Sequence, residues 1–370
     1  MKTCLVTGGA GFIGSFIVDE LVRRGHNVRI YDNLEPQVHP GGKAPDYLNQ
    51  EAEFIKGDVR DYESLKKALA GVDVVFHEAA MVGVGQSQYQ IKRYVDVNIG
   101  GIANLLDIIA NEKTKVSKLI VAASMSSYGE GQYTCETCGL VNPPLRSEEQ
   151  MVRQDWELHC PTCQKTVRPL PTNEEKRLEC NSIYAITKKN QEEMVLNLGT
   201  TYGIPAVALR YFNVYGPRQS LSNPYTGVAA IFLSRIKNIH PPVVFEDGRQ
   251  TRDFVSVHDI VRANILAMEH ESLSGYYNIG TGQPRTIQGI AETLISLYNK
   301  DMTVEITAKF RKGDIRHCVA DIHKANVTFG YTPQIPFEDG MRELIHWSET
   351  AEALDKFEEA RQELLKRRLV

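Results

Sequence analysis

Tyr184 and Lys188, in YAITK, stand four residues apart, the spacing that puts two side chains on one face of a helix. A nearby ammonium favours the phenolate and lowers a tyrosine pKa from its usual value of about 10, so the pair predicts a base able to take a hydroxyl proton near neutral pH. Ser124 closes the apolar run KLIVAAS and leads into MSSYG, which predicts a hydroxyl delivered to the C-terminal edge of a parallel sheet, where such folds keep their ligands. In TGGAGFIGS, residues 7–15, Gly8, Gly11 and Gly14 follow one β-type run and open a helix. They permit a tight turn, close backbone approach to a pyrophosphate and close helix–sheet packing. The next β-type run ends in YDN, where Asp32 can accept both hydroxyls of a ribose and would repel a 2′-phosphate, so NAD is expected rather than NADP. The alternative for Asp32 is a cap on the turn after its strand.

A second chemistry lies between Ser124 and Tyr184. Cys135, Cys138, Cys160 and Cys163 form two Cys-x-x-Cys pairs with 21 residues between them, close to zinc-ribbon spacing. Four thiolates complete a tetrahedral shell and leave no position for water or substrate, which predicts a structural zinc, with iron or two redox disulfides as alternatives. His159 is expected to be exposed or to support the site rather than to bind the metal. Cys4, Cys180 and Cys318 are scattered, so seven cysteines do not read as a disulfide framework.

These residues need elements to hold them. Short β-branched runs (TCLVT, NVRIYD, EFIKGD, DVVFHEAA, KLIVAAS, AVALRYF) alternate with amphipathic segments of helical length, among them Phe12–Arg24 and Tyr89–Glu112. That alternation predicts an α/β, Rossmann-type doubly wound parallel sheet. We expect residues 1–128 and 173–215 to form the cofactor-binding domain and 129–172 a Cys4 zinc-ribbon-like insertion. Residues 216–370 are expected to be mainly a smaller α/β substrate-binding domain, with segments around 253–282 returning to the first. The charged tail, 351–370, with Leu354, Phe357, Leu364 and Leu365 at roughly helical intervals, is expected to dock as a surface helix.

The 370 residues, 42% hydrophobic and 24% charged, suit a globular chain of about two domains, and a net charge of −4 offers no polyanion-binding surface. The insertion itself carries six acidic residues against four basic ones between 129 and 172, which disfavours nucleic acid. No run approaches the ~18 apolar residues of a membrane span, and a cytoplasmic protein is expected.

Taken together, the glycine loop, GDVRD at 57–61, HEAA at 77–80, YAITK, RYFNVYGPRQ at 210–219, GRQTRDFVSVHDI at 248–260 and FRKGDIRH at 310–317 resemble the extended short-chain dehydrogenase/reductase family, the nucleotide-sugar epimerases and dehydratases. The resemblance covers nearly the whole chain outside the cysteine insertion. It implies that Ser124, Tyr184 and Lys188 act on a sugar hydroxyl. It also implies that Gly8, Gly11, Phe12, Ile13, Gly14, Asp32, Asn33, Asp58, Val59, Ala79, Ala80 and Asn98, with Tyr184 and Lys188, hold the cofactor. Ser124, Ser126, Tyr184, Asn213, Val228, Arg252, Arg311 and Asp314 would hold a nucleotide-diphosphate sugar; two guanidiniums suit a diphosphate and a carboxylate suits a diol. Dehydratases of this kind place an Asp-Glu pair directly after the serine or threonine to eliminate water. Met125 and Ser126 stand there instead, so the resemblance implies a 4-epimerase working through a transient 4-keto sugar. The cysteine insertion resembles that of epimerases acting on dTDP-L-rhamnose. A UDP-glucose/galactose 4-epimerase, an NAD-dependent reductase or dehydrogenase, and a cofactor-binding scaffold with a zinc interaction module are the alternatives. A homodimer through the helices around 98–109 and 182–198 is the expected assembly.

Overall fold

The computed structural model describes residues 1–369. The β-type runs enter one seven-stranded sheet. It contains β1 (Thr3–Thr7), β2 (Asn27–Asp32), β3 (Glu53–Lys56), β4 (Val74–His77), β5 (Lys118–Ser124) and the strands Ala206–Tyr211 and Gly275–Ile279. Across the sheet the order is Gly275–Ile279, Ala206–Tyr211, β5, β4, β1, β2, β3, with every neighbouring pair parallel. All seven residues of β5 are buried, as expected for a central strand covered on both faces. Ile17, Val18 and Leu21 of helix α1 (Phe12–Arg23) pack on one face with Ile260 and Ala263, while Leu105, Ile108 and Val195 cover the other. The chain winds outward from β1 through β2 and β3, then crosses back to β4. The resulting switch between β1 and β4 opens a crevice beyond their C-terminal ends.

The Tyr89–Glu112 segment is not one helix. It runs as Ile91–Tyr94, a π-helical turn at Val95–Gly100, and then Gly101–Asn111. The wide turn carries Asn98 inward to full burial, where its Oδ1 accepts from Met81 N (2.7 Å) and its Nδ2 donates to Met81 O (3.1 Å) and Thr187 Oγ1 (2.9 Å). Apolar periodicity is blind to such a turn, because it tracks which face is greasy and not which carbonyl each N–H meets.

After Tyr211 the chain builds a second layer. Strand Thr251–Ser256 pairs with Asn213–Tyr215, Pro284–Thr286 and His317–Cys318, and helices Val228–Lys237, Ile287–Leu297 and Phe337–Thr350 enclose a core around Leu233, Phe254, Leu294 and Leu344. The cysteine insertion is a three-stranded antiparallel sheet ordered Gly139–Val141, Gln132–Cys135, Arg168–Leu170 over its own small core of Tyr133, Leu158 and Val167. Ion pairs on two buried arginines dock it. Arg146 forks onto Glu246 (2.7 and 2.9 Å), and Arg316 bonds Glu157 (2.6 Å) and Asp247 (2.6 Å). Among the described residues no helix is long and apolar enough to cross a membrane.

Candidate active site

One cleft of about 620 Å³ runs from the glycine loop, past the end of β5, to the helices of the second layer. At its first end Gly8 adopts φ +69°, and a Cβ on Gly14 would lie 2.3 Å from Gly8 O, so neither position admits a side chain. Gly11 caps α1 without a side-chain hydrogen bond, which leaves the helix's first N–H donors turned toward the cleft for an anion. Asp32 does both of the things its position allows. Its carboxylate accepts from Leu34 N (2.8 Å) and Ala10 N (3.1 Å), fixing its own turn, and it still lines the cleft. Burial pushes its pKa up. Asp58 is held down to about 2 by the Arg60 guanidinium and receives a 2.9 Å bond from Asn33 Nδ2. Phe12, Ile13, Val59, Ala79 and Ala80 complete this end. An anion cradle beside paired carboxylates fits the pyrophosphate and adenosine ribose of NAD.

In the middle of the cleft Ser124 and Ser126 meet Tyr184. Ser182 N-caps the Ile183–Tyr202 helix by accepting from Ala185 N (3.2 Å), which places Tyr184 in the first turn, and Tyr184 N donates to Ser87 Oγ (3.1 Å). Ser126 donates to Ser124 Oγ through both its N (3.2 Å) and its Oγ (2.9 Å). Two features depart from what the one-turn spacing suggests. Lys188 is not at the wall of the cleft: it is buried behind it, with Nζ donating to Ala122 O (2.8 Å). The Tyr184 pKa is raised by burial, and the influence that lowers it is Ser124 rather than the lysine. Lys188 itself is brought down to about 8 by the same desolvation, opposed by Glu78. Asn98 also lies off the cleft wall; it braces the Met81 peptide, and Met81 lines the cavity in its place.

Glu78, absent from the residues that the sequence singles out, also belongs to the site. It stands just beyond β4, lines the cleft, and accepts from Tyr211 Oη (2.9 Å), which in turn accepts from Asn264 Nδ2 (2.7 Å). Burial pushes its pKa up to about 7, against the pull of Tyr211 and Lys188, and its charge acts on Tyr184. The available signal was a carboxyl interrupting the apolar run DVVFHEAA at a strand end.

Asn213, Val228, Arg252, Arg311 and Asp314 all line the same cleft. Among the described residues, Asn213 Oδ1 and Arg311 Nε are buried without partners, as groups awaiting a polar ligand would be. Arg311 stacks 4.4 Å over the Phe245 ring. Arg252 is less free than expected, because its two terminal nitrogens donate to the carbonyls of Thr251, Ile315 and Arg316.

In the insertion the four sulfurs of Cys135, Cys138, Cys160 and Cys163 lie within 4.8 Å of one another, and those of Cys135 and Cys163 are 3.4 Å apart. Thiolates at ~2.3 Å around one tetrahedral zinc would be separated by a little under ~4 Å, so the donor set fits that ion. His159 turns to Asp155 (2.8 Å) and is outside the cluster.

Residues 4–148 match the NAD dependent epimerase/dehydratase family and residues 166–344 match a family described as GDP-mannose 4,6 dehydratase. The chain is 34% identical to a dTDP-L-rhamnose 4-epimerase from Burkholderia thailandensis, over 96% of each chain. Its fold matches the crystal structure of Thermotoga maritima UDP-glucose 4-epimerase with UDP-glucose (TM-score 0.76, 32% identity, 94% of this chain and 98% of that one). Thermus thermophilus UDP-glucose 4-epimerase in complex with NAD is also similar (TM-score 0.74, 31% identity, 95% of this chain and 100% of that one).

Proposed function

The chain belongs to the NAD-dependent epimerase/dehydratase family, and from that premise we propose that it is a nucleotide-sugar 4-epimerase interconverting dTDP-L-rhamnose and dTDP-6-deoxy-L-talose. The observation that carries the reaction type is the company Tyr184 keeps: Ser124 and Ser126 beside it, a nucleotide-binding loop at the same cleft, and Met125–Ser126 where elimination would need an acid and a base. The dehydratase-described match begins at residue 166, after that segment.

Bound in the cleft, NAD supplies a reversible two-electron acceptor. Tyr184 takes the proton of the C4 hydroxyl as that carbon is oxidised to a ketone, and Ser124 donates to the same oxygen. When C4 is reduced from its opposite face, Tyr184 returns the proton, so the enzyme ends as it began. Ser126, bonded to Ser124, fixes the direction of the serine hydroxyl. Lys188 holds the end of β5 through Ala122 O and, by the family resemblance, the cofactor ribose. Asn213 and Arg311 offer their unpartnered atoms to the sugar nucleotide, and Asp314 its carboxylate to a diol.

Purified enzyme mixed with dTDP-L-rhamnose and no added cofactor should approach a mixture of C4 epimers, read by NMR. Interconversion of UDP-glucose and UDP-galactose in its place would move the assignment to the other substrate pair. Turnover only with stoichiometric added NAD would make it a dehydrogenase. The reading includes one structural zinc on the four cysteines and a homodimer. Ile91, Val95 and Ile186, exposed apolar residues on or beside the helices expected to pair, support the latter.

A further inference from the structure

The tail does more than cover its own apolar stripe. Helix Phe357–Lys366 bridges the two banks of the cleft. On one bank Phe357 is buried against Val243, Phe245 and Ile231, and Asp355 accepts from Arg235 (3.4 Å) and pairs with His240 (2.6 Å). On the other bank a Cβ on Gly85 would touch Leu364 at 3.4 Å, and Arg367 stacks 4.2 Å over Tyr89. Past the helix, Leu369 O accepts from Lys312 N (3.2 Å), in the loop that carries Arg311 and Asp314. Phe357, Ala360, Arg361 and Leu364 therefore line the same cavity as Tyr184.

The neighbours of the tail say what reaches it. Arg311 is stacked on Phe245, and Phe245 is packed against Phe357 of the tail. A cation next to an aromatic wall has the layout of a nucleoside diphosphate, whose anionic linkage lies beside a flat base. Beside Arg311 the cavity is lined by Val243, Phe245, Phe357 and Ala360, one packed apolar wall of which the tail supplies Phe357 and Ala360. A planar ring laid against such a wall is stabilised by contact with its side chains and by loss of apolar surface from water. We propose that the C-terminal helix is part of the substrate site, forming with Phe245 and Val243 the wall against which the pyrimidine of the nucleotide sugar lies. The proposal rests on the nucleotide-sugar reading above. Arg361, paired with Glu358 at 3.1 Å, adds a second cation to the same cavity.

Amide exchange of the unmodified protein provides the first test: dTDP should slow exchange across 357–366, and NAD alone should not. Titration calorimetry provides the second. Phe357→Ala should weaken dTDP about tenfold, in line with one lost aromatic stack, with NAD content unchanged. Arg361→Ala, at a more exposed site, should weaken it about threefold, and more at low salt. Unchanged tail exchange together with unchanged dTDP affinity in both variants would overturn the tail's role alone. If the unmodified enzyme bound neither dTDP nor UDP, the nucleotide-sugar reading would fall, and this proposal with it.

Discussion

Glu78 and Tyr184 face the same electrostatic problem in one cleft. A carboxylate and a phenolate there repel one another, and burial already disfavours both charges. Glu78→Gln should therefore lower the Tyr184 pKa and move the acidic limb of the kcat/KM–pH profile to lower pH, by up to about one unit. An unmoved limb would show that the two groups do not communicate. Stability gives an independent readout with a fixed sign. The Glu78 pKa is raised in the folded state to about 7, so between its unfolded value near 4.5 and 7 the folded chain holds the extra proton. Stability therefore falls as pH rises through that window. The glutamine variant should lack this loss, seen as a flatter dependence of Tm on pH. At this scale the types and spacing of Tyr184, Lys188, Ser124 and Asp32 were legible in the chain. The Lys188 partner was not, because the same one-turn spacing serves whether the ammonium meets a phenol or, as here, the Ala122 carbonyl across the helix–sheet seam.

At the scale of elements, the two pieces that depart from the dinucleotide-fold rhythm grip one loop. The insertion reaches residues 310–314 through Arg146 to Asp314 O (3.1 Å), Glu148 to Lys312 (2.8 Å) and Trp156 against Phe310. The tail reaches the same loop through Leu369. Four thiolates on zinc would organise the small sheet from which the first set of contacts departs, since a core of Tyr133, Leu158 and Val167 with the cysteines is slight for a free-standing module. Zinc assay of protein prepared without chelators should give about one equivalent. Cys160→Ser should lose the metal, lower Tm and raise KM for the nucleotide sugar through the loosened loop, while the Tyr184 chemistry persists. Less than half an equivalent in the unmodified protein would count heavily against the structural zinc. Arg146→Ala should imitate the KM effect with zinc retained. It removes one of two buried arginine partners of Glu246, which keeps Arg316 at 3.1 Å, and should also cost roughly 1–3 kcal/mol of stability. The cysteine spacing announced the module. The docking could not be read, since Arg146, Glu246 and Arg316 lie about 70 to 170 residues apart and carry no local pattern.

For the whole molecule, the expected pairing of the helices around 98–109 and 182–198 has a direct measurement. Sedimentation velocity should show a particle near twice the chain mass of 41.5 kDa, and Ile186→Glu, on the exposed side of the Ile183–Tyr202 helix, should shift it toward the monomer. A 41.5 kDa species for the unmodified protein at micromolar concentration would remove the dimer. The parallel sheet, its glycine loop and the four-cysteine module were determined by the sequence itself. Each rests on contacts between near neighbours or on a period of two or 3.6 residues, and such regularities survive in a linear string. Only the tertiary structure decided that Asn98 braces Met81, that Glu78 enters the catalytic cleft, and that a charged terminal helix spans the two banks of that cleft. Those outcomes turn on which of several chemically acceptable partners a side chain meets once distant segments pack, and a buried polar group takes the partner that geometry leaves it.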